Sequence, residues 1–121
     1  MEILFSNGTD KLQITLPDRM LSEEEWFTAP LTLQVGGLIF CISTDFQKEE
    51  FDFIFENLQK LLSNGETVEF SQIEDVLAFT ITPEDALGHY RISIEIETPE
   101  TFVKTFFIMC YSDIERMLPR R

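Results

Sequence analysis

The sequence predicts an α+β fold: an antiparallel β-sheet of about seven or eight strands, one long amphipathic helix packed on its buried face, and a short C-terminal helix. Three observations predict it. Over most of the chain apolar and polar residues alternate, the period of strands with one covered face. That period gives way once, near residue 45, to apolar residues at helical spacing sustained over about five turns. The connections between strand segments are short, which suits antiparallel neighbours; parallel crossovers need a dozen residues or more. A chain of 121 residues, 44% of them hydrophobic and 12 of them Phe, can bury a core of ordinary size, so residues 1–121 form a single domain.

Each element has its own justification. Residues 2–5 suit a short strand, ended by the turn-forming Ser6-Asn7-Gly8. Residues 11–16 alternate, with Leu12, Ile14 and Leu16 on one side and Lys11, Gln13 and Thr15 on the other. Pro17 ends that strand, and residues 17–25 form a polar surface loop that carries Asp18, Glu23, Glu24 and Glu25 up to Trp26. Residues 31–35 and 38–43 read as a hairpin about Gly36-Gly37, two residues able to supply left-handed dihedrals. Leu31, Leu33 and Val35 then face inward with Leu38, Phe40 and Ile42. Thr44-Asp45 caps the long helix, with Gln47 completing a capping box, and Asn64-Gly65 ends it. Its apolar face is Phe51, Ile54, Phe55, Leu58, Leu61 and Leu62, opposite Glu49, Asp52, Glu56, Gln59 and Lys60. Strands follow at 67–70, 76–82, 89–97 and 102–109. A second capping box, Ser112 with Glu115, opens a short helix that Pro119 closes.

Charge limits the function. The chain has 22 Asp plus Glu against 9 Lys plus Arg, a formal net charge of −13. Nucleic-acid backbones and anionic membranes, which require clustered Lys and Arg, are disfavoured; a basic protein partner is favoured. Met1-Glu2 introduces no basic segment leading into an apolar stretch, and no apolar run approaches the ~20 residues of a spanning helix, so a cytoplasmic location is expected. Cys41 and Cys110 lack metal or redox spacing and are expected to be reduced core residues.

No constellation compels a reaction. Nucleophilic catalysis would need the only histidine, His89, which sits at a hairpin mouth and reads as an exposed or turn-anchoring residue. Glu95 and Glu97 share a strand face about 7 Å apart, yet an exposed face supplies neither a cleft nor a raised pKa. Glu23, Glu24 and Glu25 are consecutive and cannot converge on one cation, and there is no calcium-loop or phosphate-loop pattern. No catalytic residue, metal site or cofactor is therefore assigned. More informative is Phe53, which points about 160° from the apolar centre of its helix at 100° per residue, among Glu49, Glu56 and Lys60. Either it is covered within the fold or by a homodimer partner, or it anchors a foreign protein within a ring of charge. Trp26, preceded by three glutamates, allows the same two readings. The candidate partner-binding residues are Glu49, Asp52, Phe53 and Glu56 on the helix, with Glu23, Glu24, Glu25 and Trp26 on the loop.

The order of these features resembles one family. An acidic run leads through Trp26 into a strand, Glu23-Glu24-Glu25-Trp26-Phe27-Thr28-Ala29-Pro30-Leu31-Thr32-Leu33-Gln34-Val35. A second strand follows, then a helix of the form Phe51-x-x-Ile-Phe-x-x-Leu-x-x-Leu-Leu ending in Asn64-Gly65. After these come Glu69-Phe70, the Gly88-His89 start of a long alternating strand, and a terminal Tyr111-Ser112-Asp113 helix. Nearly the whole chain is thereby similar to the WapI-type bacterial immunity proteins. The resemblance implies a non-enzymatic cytoplasmic protein that binds and neutralises a cognate toxin domain, and it carries over no catalytic residue. The alternative is a small apolar-ligand carrier with a Phe-lined cavity, for which an internal pocket of roughly 300 Å³ or more would speak.

Overall fold

The structure, a computed structural model, describes residues 2–16 and 25–118. The elements in order are β1 (Glu2–Ser6), β2 (Lys11–Thr15), β3 (Trp26–Val35), β4 (Leu38–Gln47), α1 (Lys48–Asn64), β5 (Val68–Ser71), β6 (Leu77–Pro83), β7 (His89–Glu97), β8 (Phe102–Cys110) and α2 (Tyr111–Glu115). The eight antiparallel strands and two helices are those the sequence predicts. The strands are parted into two four-stranded sheets, β1-β2-β3-β4 and β5-β6-β7-β8, each a meander in chain order. α1 is the link between them. Two sheets that each turn an apolar face inward supply one another's cover, which a lone helix could not do for eight strands.

The core is one cluster. Phe5 of β1, Leu31 of β3, Ile54 and Leu58 of α1, and Ile81 and Ile92 of the second sheet are all fully buried. Aromatic rings mark its seams. Phe46 and Phe51 pack at 5.2 Å and Phe27 and Phe51 at 5.3 Å, fastening β3 and β4 to the first turn of α1. A second chain of rings crosses the molecule: Phe5 to Phe79 at 5.0 Å, Phe79 to Phe70 at 5.1 Å, and Phe70 to Phe53 at 6.4 Å. Its first step joins the two sheets and its last reaches the surface.

Several boundaries differ from expectation for identifiable reasons. β3 starts at Trp26 and β4 continues to Gln47, so these strands pair over ten positions from Trp26↔Gln47 to Val35↔Leu38. Thr44 and Asp45 are consequently strand residues. Gln47 is the N-cap of α1, and the Glu50 carboxylate accepts from the Gln47 backbone N–H at 2.9 Å. α2 is likewise displaced: its N-cap is Cys110, two residues before the expected Ser112, and Asp113, not Glu115, is its capping partner. In the Gly36-Gly37 turn only Gly36 takes a positive φ, 59°. Leu38 has the inward parity expected of it but is exposed at the hairpin tip of an edge strand, while Phe40 and Ile42 are half-buried. Neither cysteine is a core residue: Cys41 is exposed and Cys110 half-buried, and both are free. With Phe40 and Ile42 inward, alternation obliges Cys41 to face outward.

The junction of the halves is polar. Among the described residues Thr44, Glu50 and Gln72 are the buried polar side chains, with Glu50 6% and Gln72 1% exposed. The Gln72 amide group donates to Thr44 Oγ1 at 3.0 Å and to the Asp45 carbonyl at 2.7 Å, and its Oε1 accepts from the Leu77 N–H at 2.9 Å. The second oxygen of Glu50 accepts from the Ile73 N–H at 3.1 Å. Two side chains thus hold the β5–β6 loop of one sheet against the β4–α1 corner of the other, and each is satisfied as burial requires.

Candidate protein-binding surface

The candidate residues within the described segments gather around the first half of α1. Glu49, Asp52, Phe53 and Glu56 are all exposed there. Trp26 lies across the β3–β4 ladder from Gln47, the residue that caps the helix. With the Gln47 amide turned to satisfy both of its ends, its oxygen accepts from Trp26 Nε1 at 3.0 Å and its nitrogen donates to Glu49 Oε1 at 2.6 Å. Trp26, Gln47 and Glu49 therefore form one polar-tethered corner, and Phe53 follows Glu49 one turn along the same helix face. Glu25 is half-buried next to Trp26. Glu23 and Glu24 lie outside the described residues, as do most of the acidic loop and Pro119.

Phe53 is half-covered. It is 45% exposed, and its ring leans on Phe70 of β5 rather than standing free. Beside it is Ile73, 53% exposed, held in place by the Glu50 carboxylate on its backbone. Glu49, Glu50, Phe53, Glu69, Phe70 and Ile73 line a surface groove of about 330 Å³. Phe70 and Glu50 are its buried lining, and Phe53, Ile73, Glu49 and Glu69 are exposed around it. Sequence reading found Glu49 and Phe53 but missed Glu50, Glu69, Phe70 and Ile73, because only the packing of α1 on β5 brings the two stretches together. The signal available was the odd placement of Phe53 itself. Of the acidic face, Asp52 is engaged by Lys48 at 4.0 Å; among the described residues no ion pair reaches Glu49, Glu56 or Glu69.

Two further hollows are also open to the surface. One, about 510 Å³, runs along β1 beside α2, past Ile3, Leu4, Asp113, Arg116 and Met117. The other, about 340 Å³, lies over the outer side of the second sheet, between Asp75, Ala78, Glu95, Glu97 and Phe102. All three are lined largely by exposed or half-buried residues, so none is the interior Phe-lined cavity that a carrier of apolar ligands would present. Glu95 there is paired with Lys104 at 3.6 Å.

One juxtaposition was not anticipated. His89 and Cys110 oppose each other across β7 and β8, and His89 Nδ1 lies 2.8 Å from Asp85 Oδ2, which places a thiol, an imidazole and a carboxylate in one neighbourhood. The chemistry does not follow from the placement. The imidazole anchors the β6–β7 turn, where Asp85 Oδ1 also accepts from the Leu87 N–H at 2.8 Å and the His89 N–H at 3.3 Å; the His89 side-chain hydrogen bond, with these amide bonds, holds the Asp85 carboxyl below its ordinary range. The thiol faces elsewhere: Cys110 Sγ donates to Asp113 Oδ2 at 3.1 Å and sits 3.0 Å from Ser112 Oγ, and no hydrogen bond joins it to His89. A nucleophile must be free to lose its proton to the base, and here the proton is committed to another carboxylate. Among the described residues no group of His, Cys, Asp and Glu is placed to hold a metal ion.

Asp113 makes that cap sensitive to acid. Partial burial would raise its carboxyl, but the Cys110 amide at 2.9 Å, the Cys110 thiol and the Arg116 guanidinium outweigh it and hold the group below 3.8. A carboxylate depressed on folding contributes stability that is present above its unfolded value and lost as pH falls through the folded one. The start of α2 is thus expected to loosen below pH 3.8, read as faster exchange of the Cys110 and Arg116 amides. Asp113→Asn should exchange quickly at every pH; protection in that variant equal to the parent's would contradict the assignment.

A solved structure has a similar architecture. Trypanosoma bruciei MRP1/MRP2 superposes with a TM-score of 0.53 at 11% identity, covering 97% of this chain and 77% of that one, a likeness of fold alone. No curated protein matches the chain in sequence. Among the described helices none is long and apolar enough to cross a membrane. Residues 3–118 match the family described as the immunity protein WapI-like family.

Proposed function

Because this chain belongs to the immunity protein WapI-like family, we propose that it neutralises a cognate bacterial toxin domain by binding it, with no catalysis of its own. The toxin is a basic protein, the chain acts in the cytoplasm, and contact is made through the acidic face of α1 and the Trp26 corner. Family membership over residues 3–118 carries the reading. The surface supports it: Trp26, Phe53 and Ile73 are between 44% and 53% exposed beside Glu49, Asp52, Glu56 and Glu69, an arrangement of apolar anchors within a charged rim. A chain of net charge −13 draws a basic partner toward it and occupies the surface on which that partner would hold an anionic substrate.

The test is co-expression in bacteria with a candidate cognate toxin domain that arrests growth when expressed alone. Growth should be restored by the parent chain, and failure to restore it would refute the proposal. Replacing Glu49, Asp52 and Glu56 together by Lys should slow association about tenfold or more at low salt and flatten its salt dependence, measured by surface plasmon resonance. An unchanged rate at low salt would place the contact on another face.

A further inference from the structure

We infer that the groove between α1 and β5 is the seat of an arginine side chain presented by the basic partner. The inference rests on the proposed function for the identity of the partner and deepens it by naming the group recognised. The groove has two chemistries in one space of about 330 Å³: the apolar surface of the exposed Phe53 and Ile73 over the buried Phe70 ring, and the carboxylates of Glu49, Glu50 and Glu69. A purely apolar anchor would fit the first and fail the second. Seated there, it would strip water from the exposed Glu49 and Glu69 carboxylates without offering them a donor, a cost its apolar contacts do not offset. A compact ammonium would satisfy the second and make little use of the first.

Arginine answers both. Its three methylenes lie along apolar surface, its planar head stacks on an aromatic face, and its five donors spread to several acceptors at once. The negative charge is fixed in advance, since the 6%-exposed Glu50 is held by the Gln47 and Ile73 amides. The rim acids keep acceptors for the head: Glu49 receives the Gln47 amide on Oε1 only, and no ion pair among the described residues reaches Glu49 or Glu69. The same chemistry already occurs once within the chain, where Arg91 Cζ stands 4.3 Å over the Phe106 ring while its guanidinium binds Glu84 at 3.0 and 3.1 Å. Phe53, the surface end of a chain of rings that reaches Phe5, is a stiff platform for such stacking.

The probe is N-acetyl-L-arginine methylamide, titrated into the ¹⁵N-labelled protein alongside the lysine and norleucine counterparts. Arginine should shift the amides of residues 49–53 and 69–73 in a saturable way, with lysine at least threefold weaker and norleucine weaker still. Glu49→Gln with Glu69→Gln should weaken the arginine probe about fivefold or more, and Phe53→Ala should abolish its preference over lysine; all three positions are exposed, so the fold is retained. Equal response to norleucine, equal affinity for lysine, shifts scattered over every acidic surface, or no saturable shift would each overturn the inference. The co-expression result is read without this probe, so a failed titration with restored growth condemns the groove alone, and lost protection with a saturable arginine site condemns the proposed function alone.

Discussion

Gln72→Ala is expected to lower the unfolding free energy by about 3 kcal/mol, measured by urea denaturation with an unchanged slope. The side chain is 1% exposed and makes three hydrogen bonds, to Thr44 Oγ1, the Asp45 carbonyl and the Leu77 N–H. Truncation breaks all three bonds at once and leaves their partners behind. The Thr44 hydroxyl can rotate, but the Asp45 carbonyl and the Leu77 amide are fixed by the backbone and are left facing a dry cavity, and each such group costs about 1–3 kcal/mol. Gln72→Glu is the sharper variant: it keeps shape and one acceptor, loses both donors, and turns a carboxylate toward the Asp45 carbonyl. It should destabilise at least as much as the alanine. Losses under about 1 kcal/mol for both would mean that the loop is not fastened to the β4–α1 corner by this residue.

The second large effect is at Phe79. Phe79→Ala should cost about 3–5 kcal/mol, because a buried ring is removed from a packed interior that can only partly close over the gap. Phe79 is in contact with Phe5 at 5.0 Å and Phe70 at 5.1 Å, so the gap opens where the two sheets meet. A double-mutant cycle of Phe5→Ala with Phe79→Ala should return a coupling of about 1 kcal/mol. Strict additivity would show that the edge-on pair adds nothing beyond the area each ring buries.

The elements were legible in the sequence because each has its own local signal. Residues 89–97 alternate without interruption, and the strand found there, His89–Glu97, ends where the alternation does. Gly65 takes φ 70° and donates to the Leu61 carbonyl, the helix end that Asn64-Gly65 announces. What was not legible is what depends on the other half of the chain. Alternation says that a sheet has one covered face; whether a helix or a second sheet covers it is decided by packing, so the division at α1 stayed hidden. Thr44 could cap a helix or sit in a strand, and pairing of Ala29 with Thr44 settled it. The binding surface was half legible for the same reason: Phe53 is conspicuous within its own helix, whereas Glu69 and Ile73 look like ordinary loop and strand residues until β5 is laid beside them.

The division into two meanders in chain order has a kinetic consequence. Every strand pairs with a neighbour in sequence, so loop closure is met in short steps, the circumstance that favours quick assembly of each half. The slow event is then expected to be the mutual docking of the two layers, and Phe5 with Phe79 and Gln72 with Thr44 are among the groups that meet at that moment. Loosening them would leave each layer's hydrogen-bonded ladder standing while its apolar side lay bare, which makes this seam the place where the protein is most open to aggregation while it folds.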